Sequence, residues 1–395
     1  MGLNVKISRV LSTTALLLLT VYSVTCAGDV EFKSSLRGFS QQLFSELFKT
    51  NSQTNIIYSP FSIHSCLAMT RMGANGQTAT EMDQGLKFTG QKPEDIAENY
   101  HTLLAKYEDG KMLKIANKVY VKEHTLLQDD FKNALTEKFF SSPEFVDFEH
   151  TKEAADLINK WVESKTDNKI HNLISPSVLG IDTHLVLVSA IHFKGEWRTH
   201  FDEEYTSDQD FFVDDKTSVK VPMMVAEDYF DYAELMDLDC SVVRMPYKNS
   251  DLSMIILLPN AKTGLNSLEE KLRTVSLKSL QSRLSKQHVE VLMPKFEAEF
   301  EINLLEPLMN MGMKQMFGRA DFTKMKKSPE PLYISSAVHK AFISVTEYGT
   351  EASGATSIVA TARSLPAFFT ANHPFYYAII NEDFIPIFQG TVVKF

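Results

Sequence analysis

Residues 347–366 read E-Y-G-T-E-A-S-G-A-T-S-I-V-A-T-A-R-S-L-P. Every second residue from Thr350 is uncharged: Thr350, Ala352, Gly354, Thr356, Ile358, Ala360 and Ala362. Only Ile358 among them is large. The alternate set, Glu351, Ser353, Ala355, Ser357, Val359, Thr361 and Arg363, carries charge only at its two ends. A period of two with one small, uncharged face fits a strand buried on that face. No proline occurs before Pro366, so every amide from 349 to 365 can donate to a sheet ladder. Gly349 and Gly354 weaken such a strand, and small side chains give it little packing energy. The segment is therefore able to enter a sheet without being fixed there at the start. Arg363 is the only Lys or Arg between Lys340 and Lys394, and Ser364 follows it. An exposed, extended loop with one basic residue is bait for a protease whose specificity pocket holds an aspartate.

The flanks of this stretch read as core. Residues 332–347 form a strand leading in. Short apolar strands at 375–380, 384–388 and 391–395 follow it. A cut at Arg363 is expected to leave a tail fragment that stays bound without a covalent link.

Several motifs resemble one family. Glu347-Tyr348-Gly349-Thr350-Glu351-Ala352 is similar to the serpin loop hinge, and Phe369-Thr370-Ala371-Asn372-His373-Pro374-Phe375 to the signature that follows the loop. N-I-I-Y-S-P-F-S-I from Asn55, G-A-N-G-Q-T-A-T-E-M from Gly73 and F-K-G-E-W from Phe193 also resemble it. The resemblance covers nearly all of 29–395. It implies one mixed α+β domain over 28–395, with large mixed sheets surrounded by helices and an exposed reactive-centre loop.

The resemblance also implies roles. In inhibitory serpins the scissile residue lies fourteen positions after the hinge glycine, and counting from Gly349 gives Arg363, with Ser364 after the cut. The hinge comprises Glu347, Gly349, Thr350, Glu351, Ala352, Ser353, Gly354 and Ala355. Lys295 is expected to pair with Glu347, with Trp197 packed nearby. Ser59, Ser62 and His339 match a polar cluster beneath the sheet centre. The family usually has asparagine where this chain has Ser189. Serine is shorter, so its link to His339 is expected to need a water. The implied activity is irreversible suicide inhibition of a trypsin-like protease by a monomer, with no cofactor and no metal.

Composition narrows the alternatives. The chain has 395 residues, 44% of them hydrophobic, and a net charge of −10. That balance argues against nucleic acid as the main partner. Residues 1–27 read as a secretory signal, with Lys6 and Arg9 before the apolar run 11–21 and Thr25-Cys26-Ala27 at the cleavage site. The run is too short for a membrane anchor. A secreted, extracellular protein is expected, and losing the two leader cations takes the charge from −10 to −12. Cys66 and Cys240 remain; two cysteines make no disulfide framework, and both are expected as buried free thiols, with a single bridge between them as the alternative. Heparin-dependent members of the family carry a basic helix after residue 90. Here Glu94, Asp95 and Glu98 make that region acidic, so no heparin activation is expected. No G-x-S-x-G, H-E-x-x-H, P-loop or paired C-x-x-C points to an enzyme. The remaining rival is a non-inhibitory serpin acting as carrier or chaperone. Thr350, Ala352 and Gly354 oppose it, being neither proline nor bulky charge.

Further elements are expected along the chain. Phe32, Leu36, Phe39, Leu43 and Leu47 trace one helix face. Ser59-Pro60 starts a helix ending at Gly73, and Thr78 to Glu81 form a capping box opening the next. Strands are expected at 113–121, 185–188 and 289–300, and helices at 268–284 and 301–317.

Overall fold

The computed structural model describes residues 28–49, 51, 54–350 and 365–395, and of Thr350 only the backbone. The leader, Arg363, Ser364 and the hinge positions Glu351, Ala352, Ser353, Gly354 and Ala355 lie outside the described residues.

The chain opens with α1 (28–49), β1 (Ile56–Tyr58), α2 (Pro60–Met72), α3 (Gly76–Gly85) and α4 (Pro93–Ala105). Next come β2 (Leu113–Lys122), α5 (Asp129–Lys138), β3 (Glu144–Val146), α6 (Thr151–Lys165), β4 (Leu185–Phe193) and β5 (Gly195–Glu196). The middle holds β6 (Ser207–Phe212), β7 (Ser218–Leu235), β8 (Cys240–Pro246), β9 (Ser253–Pro259), α7 (Leu265–Leu272) and α8 (Leu277–Leu280). The last part is β10 (Ser285–Pro294), β11 (Phe296–Asn303), α9 (Leu305–Asn310), β12 (Ile334–Val345), β13 (Gly349–Thr350), β14 (Ala367–Thr370), β15 (Phe375–Ile380) and β16 (Pro386–Val392).

Two large sheets organise these elements. One runs β11-β12-β4-β2-β3; the other runs β1-β16-β15-β9-β8-β7-β10-β14, with β6 also on β7. Helix α2 threads between them and packs on β2, β4 and β16. Its start follows from sequence: the Ser59 side chain accepts from the Ser62 N–H, and Pro60 takes the first turn, where no donor is missed. Every residue from Pro60 to Arg71 is buried. The one charged side chain there, Arg71, is satisfied by a bidentate pair with Asp83 at 2.5 and 2.7 Å.

Strand β4 is buried along its whole length. Leu185, Leu187 and Ile191 face the main core with α2, while Val186, Val188 and Ala190 face a second core with Ala154, Ile158 and Val162 of α6. Both faces are covered, which is why the run 185–188 is continuously apolar. The tail is equally embedded: β14, β15 and β16 supply three strands of the larger sheet, and all of β15 and β16 is buried.

Four expectations are corrected. The span 289–300 is not one strand: β10 ends at Pro294 and β11 starts at Phe296 in the other sheet, so Lys295 sits at the corner between them. The span 268–284 breaks into α7 and α8, because the Ser276 side chain caps a new start at the Lys278 N–H. The span 301–317 continues β11 to Asn303, then gives the short α9, stopped before Gly312 at φ +95°, and a single 3-10 turn at Gln315–Phe317. Residues 384–388 and 391–395 are not two strands: β16 runs through Gly390. That glycine marks a close crossing, not a turn, since a Cβ there would lie 2.0 Å from the Ile56 carbonyl oxygen.

The capping box was also misplaced. Helix α3 starts at Gly76, so Thr78 and Glu81 lie inside it. Thr78 Oγ1 accepts from the Asp321 N–H at 2.9 Å, and Glu81 Oε2 accepts from the Lys314 and Gln315 N–H groups at 2.8 Å. The two side chains tie down a distant loop instead of their own helix.

Candidate functional site

The described part of the hinge is a tight reversal at the end of β12. The Thr346 N–H donates to the Gly349 carbonyl at 2.8 Å, and the Gly349 N–H returns to Thr346 at 3.2 Å. The chain then pairs with β5, Gly349 opposite Glu196 and Thr350 opposite Gly195. Gly349 has φ +145°, and a Cβ there would lie 2.0 Å from the Gly195 carbonyl oxygen. Only glycine fits both the backbone angle and the approach.

Glu347 lies in this turn with its side chain only 4% exposed. Lys295 Nζ reaches Glu347 Oε2 at 2.9 Å, and Thr206 Oγ1 donates to Oε1 at 3.1 Å. Burial works against the Glu347 charge, yet the Lys295 hydrogen bond and the backbone and Thr206 donors hold its pKa below the usual value. Trp197 closes the site from the other side. Its indole Nε1 donates to the Thr346 carbonyl and its backbone N–H to Tyr348, both at 2.9 Å. The ring stacks on Tyr247 with centroids 4.5 Å apart.

Below the turn, β12 and β4 run parallel, from Ile334 opposite Leu185 to Phe342 opposite His192. Each is antiparallel to its outer neighbour, β11 and β2 respectively. His339 lies opposite Ser189 at the centre of the pair. The Ser59 N–H donates to His339 Nε2 at 3.0 Å, so that nitrogen carries no proton. Nδ1–H therefore donates to Ser189 Oγ at 2.9 Å. Ser189 passes its own proton toward Ser62 Oγ at 3.0 Å, and Ser62 donates to Asn117 Oδ1 at 2.8 Å. Asn117 Nδ2 closes the chain on the Ser62 carbonyl at 3.0 Å. Ser59 Oγ ends in the other sheet, on the Ile387 carbonyl at 2.5 Å. The serine at 189 thus reaches His339 directly, and the expected bridging water is not needed for that contact. Burial pushes His339 down to about 3, so the ring is neutral.

The structure brings Glu347, Lys295 and Trp197 together at the turn, and Ser59, Ser62, Ser189 and His339 together under the strand pair. Reading the sequence missed Asn117, Thr206 and Tyr247. Asn117 was findable: it is the lone polar residue on the alternation Leu113, Ile115, Asn117, Val119, Val121. Thr206 and Tyr247 arrive from distant segments and carry no local signal. Cys66 and Cys240 are free and buried, and burial lifts both thiols to about 12. Among the described residues no cluster of potential metal ligands occurs, and no helix is long and apolar enough to cross a membrane.

The family model for serpins, serine protease inhibitors, matches residues 34–395. The chain belongs to the serpin family. Antitrypsin from Bombyx mori is 35% identical over 374 residues, covering 92% of this chain and 94% of its own. Antichymotrypsin-2 from the same species is 35% identical over 370 residues, covering 91% and 97%. The solved structure of cleaved Serpin 42Da is 41% identical, covers 92% of this chain and 98% of its own, and superposes with a TM-score of 0.85.

His339 and His64, the latter pushed down to about 4 by burial, are both neutral in the folded chain. Their folded pKa values lie below the unfolded value of about 6.5, so their stability contribution is complete above it and falls as pH drops below it. His339→Gln should unfold about 1–3 kcal/mol more easily at pH 7. Between pH 6.5 and 4 it should lose stability less steeply than the parent, by about 1 kcal/mol per pH unit. Urea melts at pH 7, 5.5 and 4 check this; equal slopes would show that His339 is not held neutral.

Proposed function

We propose that this serpin is a secreted, monomeric suicide inhibitor of trypsin-like serine proteases, released after removal of residues 1–27. The observation that carries the reading is the parallel pairing of β12 and β4 beneath a hairpin turn at 346–349. A ribbon that leaves β12 through such a turn must run antiparallel to β12. Because β4 is parallel to β12, the same ribbon is antiparallel to β4 as well. The segment 350–363 follows directly and is fourteen residues long, against twelve in β12. It matches the slot in length, and its small alternate face suits a two-sided ladder.

The protease serine attacks the Arg363 carbonyl, and the Arg363–Ser364 bond breaks. The new amine of Ser364 takes the proton held by the protease histidine, leaving an ester to Arg363. The freed ribbon opens β12 from β4 and replaces one parallel ladder with two antiparallel ones, carrying the ester-linked protease along. About a dozen new hydrogen bonds at roughly 1 kcal/mol each supply on the order of 10 kcal/mol. That is comparable to the stability of a whole protease domain, about 5–15 kcal/mol, enough to distort the enzyme before water cleaves the ester. Ser364 onward remains held through β14, β15 and β16.

Overall similarity does not choose the target, since relatives equally identical to this chain are named for trypsin and for chymotrypsin. Arg363 chooses it, through an aspartate at the base of the protease pocket. The chain acts as bait and contributes no catalytic group. The reading includes no nucleic-acid or membrane partner and no heparin activation; Glu94 and Asp95 in the first turn of α4 support the last of these.

Mixed with trypsin, the protein should form a complex that survives SDS, and Arg363→Ala should abolish it; clean cleavage without a complex would favour the carrier or chaperone reading. Thr350→Arg should convert the inhibitor into a substrate, because burying an unpaired charge costs several kcal/mol. The moles of serpin consumed per trypsin should rise on the order of tenfold. An unchanged stoichiometry would remove insertion from the mechanism.

A further inference from the structure

The far end of the strand pair, where β4 and β12 begin, is fastened by side chains. The ladder is irregular there: Ile334 lies opposite Leu185 and Ser336 opposite Val186, so Ser335 is an extra residue in β12. Its Oγ accepts from the His184 N–H at 2.9 Å. His184 precedes β4 and Tyr333 precedes β12. Their rings meet with centroids 4.6 Å apart, tilted by 49°. Tyr333 Oη donates to the Asp182 carbonyl at 3.2 Å. The Lys122 N–H holds the His184 carbonyl from the other side at 2.9 Å, so His184 belongs with β2 and β4. The contacts to Tyr333 and Ser335 therefore cross the line along which β12 parts from β4.

The turn at 346–349 sets where the inserting ribbon ends. Thr346 faces Gly349 across it. In an antiparallel pair each step back along β12 is one step forward along the ribbon, so the two numbers of every facing pair keep the total set by 346 and 349. Thr361 then falls opposite Ile334, Ala362 opposite Tyr333, and Arg363 opposite Leu332. A strand placed between β4 and β12 takes their separation from about 4.8 Å to about 9.6 Å. Neither the ring contact nor the two hydrogen bonds can span that gap. They face only the last residues of the ribbon, so the ladder above them forms while they are still closed.

We propose that His184, Tyr333 and Ser335 form a clasp whose opening is the last step of trapping, and that they are positioning residues that set how often a cleaved chain keeps its protease. The protease is tethered at Arg363 itself. Until Ala362 has entered, the tether is slack, the enzyme is not pressed against the sheet end, and water still has time to cleave the ester. A tight clasp lengthens that interval; a loose one shortens it. The inference rests on the inhibitor reading, with Arg363 as the scissile residue.

The test compares one protein in two states. In the full chain carrying His184→Cys and Tyr333→Cys, oxidation joins the two strand starts, since neighbouring strands lie close enough for a disulfide. Cys66 and Cys240 are buried, so the new pair is the one that oxidises. Mixed with trypsin, the oxidised form should be cut at 363–364 and release active enzyme. The same protein, reduced and freed of reductant before mixing, should keep trypsin in an SDS-stable complex. Trypsin bound to Tyr333→Phe and Tyr333→Ala should become degradable by a second protease about threefold and about tenfold sooner than trypsin bound to the parent. An oxidised form that holds trypsin as durably as the reduced one would show that the far end need not open, and the clasp would have no part in trapping although the inhibitor reading stands. Parental timing in both Tyr333 variants would overturn the clasp as well. If the parent and the reduced form both release trypsin, the inhibitor reading falls and takes the clasp with it.

Discussion

The structure depends on one strand pair that is closed but not at its best. β4 and β12 meet in parallel at the centre of the five-stranded sheet, and parallel pairing is slightly weaker per residue than antiparallel. The segment that could convert it into two antiparallel pairs begins four residues after β12 ends. What keeps it out is local: a turn fixed by Gly349 against Gly195, a buried Glu347 held by Lys295 and Thr206, and an indole bonded to the turn carbonyl. These contacts fix the turn without filling the slot.

The polar cluster under the pair has a matching logic. Ser59, Ser62, Asn117, Ser189 and His339 come from α2 and its cap, β2, β4 and β12, and each donor has an acceptor. Full satisfaction makes a buried network rigid and specific; a half-satisfied one is costly. Parting β4 from β12 breaks the Ser189–His339 contact and leaves His339 attached only to Ser59. The network therefore resists partial opening and favours an all-or-none change.

Much of this was legible in sequence where local chemistry and tertiary context agree. Ser59-Pro60 starts a helix by its own capping, and the apolar run 185–188 announces burial on both faces. Arg363 is expected as the scissile residue from charge isolation and from the family spacing, and it lies outside the described residues, as do 351–362. The sequence misled where a local pattern served a distant partner. Thr78 and Glu81 have capping-box spacing yet bind the 314–321 loop. The gap left between the expected strands 384–388 and 391–395 falls at Gly390, which lies inside β16 and admits the β1 backbone. Lys295 looks like a mid-strand residue, though it stands at the corner between the sheets. Its partner Glu347 was expected from resemblance; Thr206 and Tyr247, brought in by topology alone, had no signal to read.

Thermal unfolding of the chain before and after a single cut at 363–364, with no protease left attached, tests the stored bias most directly. Ten new kilocalories of ladder, on the order estimated from hydrogen bonds, correspond to a rise on the order of 20 °C in Tm for a domain of this size. The account predicts that the cut chain melts that much higher than the intact one. A cut chain that melts at the same temperature or lower would contradict it.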